Sequence, residues 1–305
     1  MAAVPPRGRA SPCEPAAVSQ PAIARSVAEL RAQVRAWHAA GLTVGFVPTM
    51  GALHAGHLAL MRQALAGCDR AMVSIFVNPT PFGPHEDLSR YPRDEAGDLA
   101  KLASVGVHLA YLPTVAEMYP EGASTWVEVE GLSHGLCAER RPHHFRGVAT
   151  VVTMLLNQAQ ADLSVFGEKD YQQLQIIKRL VRDLAIPTRI EGGATVRESD
   201  GLAMSSRNLL LAPEHRALAP VLNRVLRETA AALGDGRLAA PLLDAAVERL
   251  MNSGFRLVDY VELRDAETLA PLATAAHRPG RLLAAAHLGS VRLIDNVPVG
   301  DAAAS

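Results

Sequence analysis

Three short polar strings in this sequence combine residue types that can hold and polarise phosphate. In His54-Ala55-Gly56-His57, two imidazoles flank a glycine that lets the backbone pass close to a ligand. The string follows a short apolar run, Thr43 to Val47, and opens a helical stretch from about His57 to Ala66. The free N–H groups of a helix start would therefore face the same place. Imidazoles there can donate to phosphate oxygens as negative charge develops during displacement at phosphorus. A zinc-binding pair or two surface histidines would look the same in isolation. Gly167-Glu168-Lys169-Asp170 follows another apolar run, Leu163 to Phe166. Its lysine is a point charge for phosphate or carboxylate, and its aspartate can hold ribose hydroxyls; the alternative is a solvated turn. In Asp200-Gly201-Leu202-Ala203-Met204-Ser205-Ser206-Arg207-Asn208, two hydroxyls precede an arginine. That is a compact phosphate grip on a glycine-containing segment able to close like a lid, or else a polar loop between domains.

The surrounding pattern says what would position these strings. Ser26-Val27-Ala28-Glu29 has the form of a capping box, opening a helix to about Ala40 that Gly41 stops. Strand-like runs at Thr43 to Val47, Ala71 to Val77, Val107 to Leu112 and Leu163 to Phe166 alternate with helical stretches at His57 to Ala66, Asp94 to Ser104, Val148 to Asn157 and Tyr171 to Leu184. Alternation of this kind makes a parallel sheet with helices on both faces, and ligands bind such sheets where strands end at their carboxyl edge. The PTMGALHAGH string, the Asn78-Pro79-Thr80-Pro81 loop and Gly167 to Asp170 all follow strand ends. One composite site is expected. Beyond about Val196 the texture changes to helical patterns at 213–230 and 238–252, then Phe255 to Leu263, Arg281 to His287 and Val291 to Ile294 as strands. The expected organisation is a disordered extension over 1–22, an α/β nucleotide-binding domain over 23–195, and a smaller α+β domain over 196–305.

Bulk composition excludes several function classes. Lys plus Arg total 30 against 31 Asp plus Glu, so no general charge draws the chain to nucleic acid or membrane. No stretch approaches the roughly 20 apolar residues that span a bilayer. Cys13, Cys68 and Cys137 stand in no paired or metal-type spacing, which suits a reducing cytoplasm. The first 22 residues lack the continuous apolar segment of a secretory signal.

Taken together, an HxGH string after the first long strand, a later lysine and a late Ser-Ser-Arg resemble the nucleotidyltransferase superfamily. The fuller strings are more specific. PTMGALHAGHLAL, SIFVNPTPFG, RRPHHFRGVATVV, FGEKDYQQL, TVRESDGLAMSSRN and DYVELRD occur in this order. Over residues from about 24 to 297 the chain resembles the pantothenate synthetase family. The resemblance implies a Rossmann-like doubly wound sheet with a smaller second domain, and a homodimer. It implies a two-step ligation in which pantoate attacks the α-phosphorus of MgATP and β-alanine then attacks the pantoyl-adenylate.

The resemblance also implies roles for individual residues. Met50, Gly51, Ala52, Leu53, His54, Ala55, Gly56 and His57 would line the ATP site, His57 matching the family's catalytic histidine. Gly167, Glu168, Lys169 and Asp170 would hold ribose and phosphate, Val196 would lie near adenine, and Met204, Ser205, Ser206 and Arg207 would close on the phosphates. Catalysis would rest on His54, His57, Lys169, Ser205, Ser206 and Arg207. Gln173 would hydrogen-bond pantoate, and Arg141 and His144 match a loop near the pantoate side. The chain departs from the family at Pro81, where a glutamine usually contacts pantoate and β-alanine; proline has no side-chain amide. Ala138, Met154 and Gly193-Ala194 are further departures, from glycine, lysine and Val-Pro. Competing expectations are a degenerate nucleotide-binding paralogue, which Pro81 favours, another HxGH adenylyltransferase, or a histidine-based metal hydrolase lacking nearby acidic ligands.

Overall fold

A computed structural model describes residues 20–80, 93–276 and 278–300. The first part of the chain runs β1 (Ala22–Ala24), α1 (Val27–Ala39), β2 (Val44–Thr49), α2 (Ala55–Gly67), β3 (Arg70–Ile75), α3 (Glu95–Ser104), β4 (Leu109–Tyr111), α4 (Val115–Met118), α5 (Cys137–Arg140), α6 (His144–Ala159), β5 (Leu163–Gly167), α7 (Tyr171–Asp183) and β6 (Arg189–Gly193). Its six strands form one sheet in the order β1-β4-β3-β2-β5-β6, every neighbouring pair parallel. From β2 the chain winds outward through β3 and β4, then returns to β5 and β6 on the other side. The order therefore reverses between β2 and β5, and the crevice at their carboxyl ends is where such sheets bind ligands.

Alternation along the buried strands feeds two separate cores. Phe46 and Met72 pack with Leu30 and Val34 of α1, Val152 and Leu156 of α6 and Ile177 of α7. Val47 and Val73 point the other way, onto Met61 and Ala64 of α2. A strand buried on both faces reads as an unbroken apolar run, which is why β2 and β3 were visible in the sequence. Gly45 allows the close seating of α2: a Cβ there would lie 3.0 Å from both the Cβ and the carbonyl oxygen of Ala64.

The rest of the chain forms α8 (Pro213–Leu218), α9 (Val221–Gly234), α10 (Ala239–Asn252) and an antiparallel sheet β7-β8-β9 from Leu257–Asp265, Gly280–Leu288 and Val291–Val299. One face of this sheet, with Leu282 and Ala284, packs on Leu222 and Leu226 of α9 and Leu250 of α10. Leu283, between them on β8, joins the core of the first sheet instead. The small sheet is thus a cover on the larger one as well as half of its own core.

The expected fold class, a doubly wound parallel sheet with a smaller α+β part, is what the chain adopts. Several boundaries differ. β1 begins at Ala22, inside the stretch set aside as an extension, and neither it, Ala-Ile-Ala, nor β6, Arg-Ile-Glu-Gly-Gly, has the apolar run that marks the other strands. The 213–230 pattern is two helices, separated at Ala219-Pro220, because Pro220 has no N–H to continue the first. β9 runs on to Val299 past Pro298, which an edge strand tolerates. Helix α6 starts at His144, four residues ahead of the apolar run that marks it. Residues 1–19 lie outside the described residues, as do Cys13 and Pro81; Cys68 and Cys137 are free thiols.

Candidate active site

The loop after β2 is built to hold a tight left-handed path. Gly51 and Ala52 have φ of 83° and 50°. Asp98 of α3, only 1% exposed, accepts the N–H of Ala52 at 2.9 Å and of Leu53 at 2.8 Å. Thr49 accepts the N–H of Gly51 at 3.3 Å and donates to the carbonyl of Ser74 at 2.8 Å. Gly51, Ala52 and Leu53 are therefore scaffold, with their donors turned onto Asp98 and Thr49.

This path makes His54 the N-cap of α2, which begins at Ala55, two residues before the helix expected from pattern alone. Its Nδ1 accepts the N–H of Gly56 at 3.2 Å, and Nδ1 of His57 accepts the N–H of His54 at 3.3 Å. With both Nδ1 atoms accepting, each neutral ring carries its proton on Nε2. The rings sit 4.1 Å apart between centroids. Burial, then the Lys169 charge, lowers the His54 pKa to about 4. Burial, then His54 and Lys169, lowers that of His57 to about 3. At neutral pH the pair is uncharged and donates from two Nε2–H groups.

Across the switch point, β5 ends at Gly167 and a single 3-10 turn carries Glu168–Asp170 into α7. Nζ of Lys169 lies 3.6 Å from Oδ2 of Asp170. Glu168 turns away, pairing with Arg281 of β8 at 3.1 Å. The third string arrives from the second part of the chain. Ser206 donates to the carbonyl of Ala52 at 3.1 Å, and Ser205 accepts the N–H of Arg207 at 3.3 Å. Asn208 fixes the segment from below through Glu198 at 2.8 Å and the Ala203 carbonyl at 3.1 Å.

These strings converge. Met50, His54, Gly56, His57, Gly167, Lys169, Asp170, Gln173, Val196, Met204, Ser205, Ser206 and Arg207 all line one cavity of about 300 Å³. Gly51, Ala52, Leu53, Ala55 and Glu168 do not line it, and Pro81 lies outside the described residues. Arg141 and His144, 3.1 Å apart, line it too. Sequence reasoning placed the Asn78 loop at the composite site without giving Asn78 a role, and missed Thr195 and an apolar wall of Val148, Val151, Val152 and Leu155. That wall is one stripe of α6, spaced i, i+3, i+4, i+7, and its position in the RPHHFRGVATVV string was the available signal. A second compartment of about 600 Å³ shares Arg141, His144, Lys169, Asp170, Gln173, Ser205 and Arg207 and opens toward β7–β9. Fixed cations, neutral donors and one carboxylate around an apolar-walled cavity suit a polyphosphate with a small organic acid.

A family model described as pantoate-beta-alanine ligase matches residues 22–298. The chain belongs to the pantoate–β-alanine ligase family. It is 60% identical over 277 residues to a pantothenate synthetase of Paramagnetospirillum magneticum, spanning 91% of this chain and 97% of the relative. A pantothenate synthetase of Rhodospirillum rubrum is 56% identical, over 91% and 98%. Among solved structures, pantothenate synthetase from Thermus thermophilus superposes with a TM-score of 0.83 at 47% identity, covering 90% of this chain and 98% of that one. The pantoate-beta-alanine ligase of Francisella tularensis, complexed with beta-gamma ATP and beta-alanine, gives a TM-score of 0.77 at 32% identity, over 91% and 97%.

Three of the positions expected to depart from the family pattern have a local setting that suits the residue present. Met154 and Ala138 are partly buried against the first core, where apolar residues fit. At Gly193 a side chain would meet Leu60, whose Cδ2 lies 2.1 Å from the position a Cβ would take. Leu60 fills that space.

Proposed function

We infer that this ligase joins pantoate to β-alanine with cleavage of ATP to AMP and pyrophosphate, through a pantoyl-adenylate. The observation that carries the reading is the meeting of His54, His57, Lys169 and Arg207 around one cavity at the sheet's switch point. In the first step a pantoate carboxylate oxygen bonds to the α-phosphorus while the α–β bridging bond breaks, and pyrophosphate leaves with the electron pair. Lys169 and Arg207 neutralise charge gathering on the phosphoryl oxygens. The two Nε2–H groups donate without adding charge, and Ser205 supplies a hydroxyl. Asp170 takes the ribose hydroxyls, Val196 lies beside adenine, and Gln173 holds pantoate against the α6 wall. In the second step the neutral β-alanine amine bonds to the acyl carbon, the carbon–oxygen bond breaks, and AMP departs; the amine proton passes to solvent.

Among the described residues no group of three or more His, Cys, Asp or Glu could hold a metal ion. Mg²⁺ fits this site as an ion carried by phosphate oxygens and water, with Asp170 the one carboxylate at hand. When bound it would neutralise phosphate charge alongside Lys169. We also read residues 23–195 and 196–305 as two domains, the second closing over the first. A homodimer in the cytoplasm is the expected state. The dimer is what the family resemblance implies, and near-neutral charge does not oppose self-association; among the described residues no helix is long and apolar enough to cross a membrane. Sedimentation giving a clean monomer at micromolar concentration would remove the dimer.

The test of the activity is pyrophosphate–ATP exchange. Label should enter ATP only when pantoate is present, with β-alanine unnecessary. Exchange that ignores pantoate, or needs β-alanine, would overturn the order of steps.

A further inference from the structure

Neighbouring residues on a strand face opposite sides of its sheet, and at Asp295-Asn296 of β9 both sides are occupied by site-forming segments. Asp295, 4% exposed, faces α9. It accepts from both terminal nitrogens of Arg197, at 2.7 and 3.0 Å, and from Asn223 at 3.0 Å. Arg197 in turn donates to the Gly201 carbonyl at 3.1 Å, at the base of the segment that ends in Met204 to Arg207. Asn296, 3% exposed, faces the larger sheet. Its amide nitrogen donates to the carbonyls of Glu168 and Lys169, both at 2.9 Å. Nε of Arg281 donates to its amide oxygen at 2.6 Å, which fixes which end of the amide meets those carbonyls. Arg281 is itself held over the Tyr171 ring, 4.2 Å from the centroid, and paired with Glu168.

We propose that Asn296 is a positioning residue for Lys169, with the Asp295-Asn296 pair setting the spacing between the lysine on one side of the cleft and the Ser205–Arg207 grip on the other. A one-turn 3-10 segment has few hydrogen bonds of its own, so the backbone under Lys169 takes its place from what grips it. Asn296 grips both carbonyls of the Glu168–Lys169 step and comes from the covering sheet. No contact of Asn296 with substrate is required. The proposal rests on the reading of Lys169 as a phosphate ligand.

The experiment is a double-mutant cycle on the full-length enzyme, reading pantoate-dependent pyrophosphate exchange. Asn296→Ala should slow exchange by roughly 10- to 100-fold, the scale of a misplacement of about 1 Å, with pantoate KM little changed. In a Lys169→Ala background the same substitution should add no more than about a twofold loss, because its effect passes through the lysine. An equal fold-loss in both backgrounds, or a full rate for Asn296→Ala alone, overturns the proposal. If Asn296→Ala does not fold, Arg281→Met serves: it keeps an apolar stem over Tyr171, frees the amide to turn, and should show the same dependence on Lys169. Hydrogen exchange over 167–171 gives a reading independent of turnover, and unchanged protection there in the variant also overturns the proposal. A failure of the functional reading itself would show in the unmodified enzyme, as absent exchange.

Discussion

Replacing Lys169 with alanine should lower the rate of adenylate formation by about 10²- to 10³-fold. The lysine lines both compartments of the cleft, and its side chain is only 20% exposed, so its charge is poorly screened where phosphate would lie. Two unit charges about 4 Å apart at an effective dielectric near 20 attract by roughly 4 kcal/mol. Losing one key transition-state donor elsewhere costs about 3–4 kcal/mol, which agrees in scale. Stability should hardly move. The ion-pair partner, Asp170, is 48% exposed at 3.6 Å, and such pairs contribute about 0–1 kcal/mol. Quenched single-turnover measurement of pantoyl-adenylate, run beside urea denaturation, separates the two effects. An unaltered single-turnover rate refutes the role, and so does a rate loss matched by several kcal/mol of lost stability.

The remaining expectations concern the loop, pH and Pro81. Asp98→Ala should destabilise the fold by roughly 2–6 kcal/mol, since it orphans the N–H groups of Leu53 and Ala52 at about 1–3 each, the part-buried Ala52 toward the lower end, and should raise the KM for ATP; an unshifted denaturation midpoint would show that Asp98 does not hold the loop. His54 and His57 have folded pKa values of about 4 and about 3, below the unfolded 6.5, so the unfolded chain takes up protons first. Their contribution is intact above about pH 6.5 and is lost as pH falls toward 4 for His54 and toward 3 for His57, so the denaturation midpoint should drop across that window and the drop should shrink in His57→Gln; a flat profile contradicts it. Pro81→Gln should lower the pantoate KM by about ten- to a hundredfold, the equivalent of a hydrogen bond to a charged group at roughly 1.5–3 kcal/mol, and leave the KM for ATP unchanged. A pantoate KM that stays put in an active enzyme would mean another group already serves that carboxylate or hydroxyl.

Much of this arrangement was legible because two-sided burial writes itself into sequence. Val44 to Val47 and Ala71 to Val73 are continuous apolar runs for that reason, and the strings that end such strands fall where the sheet binds ligands. What stayed hidden depends on contacts across long stretches of chain. Asp98 reads as one more helix-surface acid until α3 is folded under the β2 loop, 45 residues away from Leu53. Asn296 reads as a strand polar residue until β9 crosses Lys169, 127 positions earlier. The start of α2 was misplaced because histidine is an uncommon N-cap, and only the Nδ1 contact to Gly56 reveals it. β1, Ala-Ile-Ala, continues an Ala- and Pro-rich stretch, and β6, Arg-Ile-Glu-Gly-Gly, carries a single large apolar residue, whereas β4 and β5, no longer than these, sit in apolar runs.

If pantoate is activated by bonding its own carboxylate oxygen to the α-phosphorus, isotope transfer will record that bond. Pantoate carrying ¹⁸O in both carboxylate positions, turned over with ATP and β-alanine, should deliver one ¹⁸O to AMP and leave the other in the amide carbonyl of the product. Label absent from AMP, or label appearing in inorganic phosphate beside ADP, would contradict activation through an acyl-adenylate.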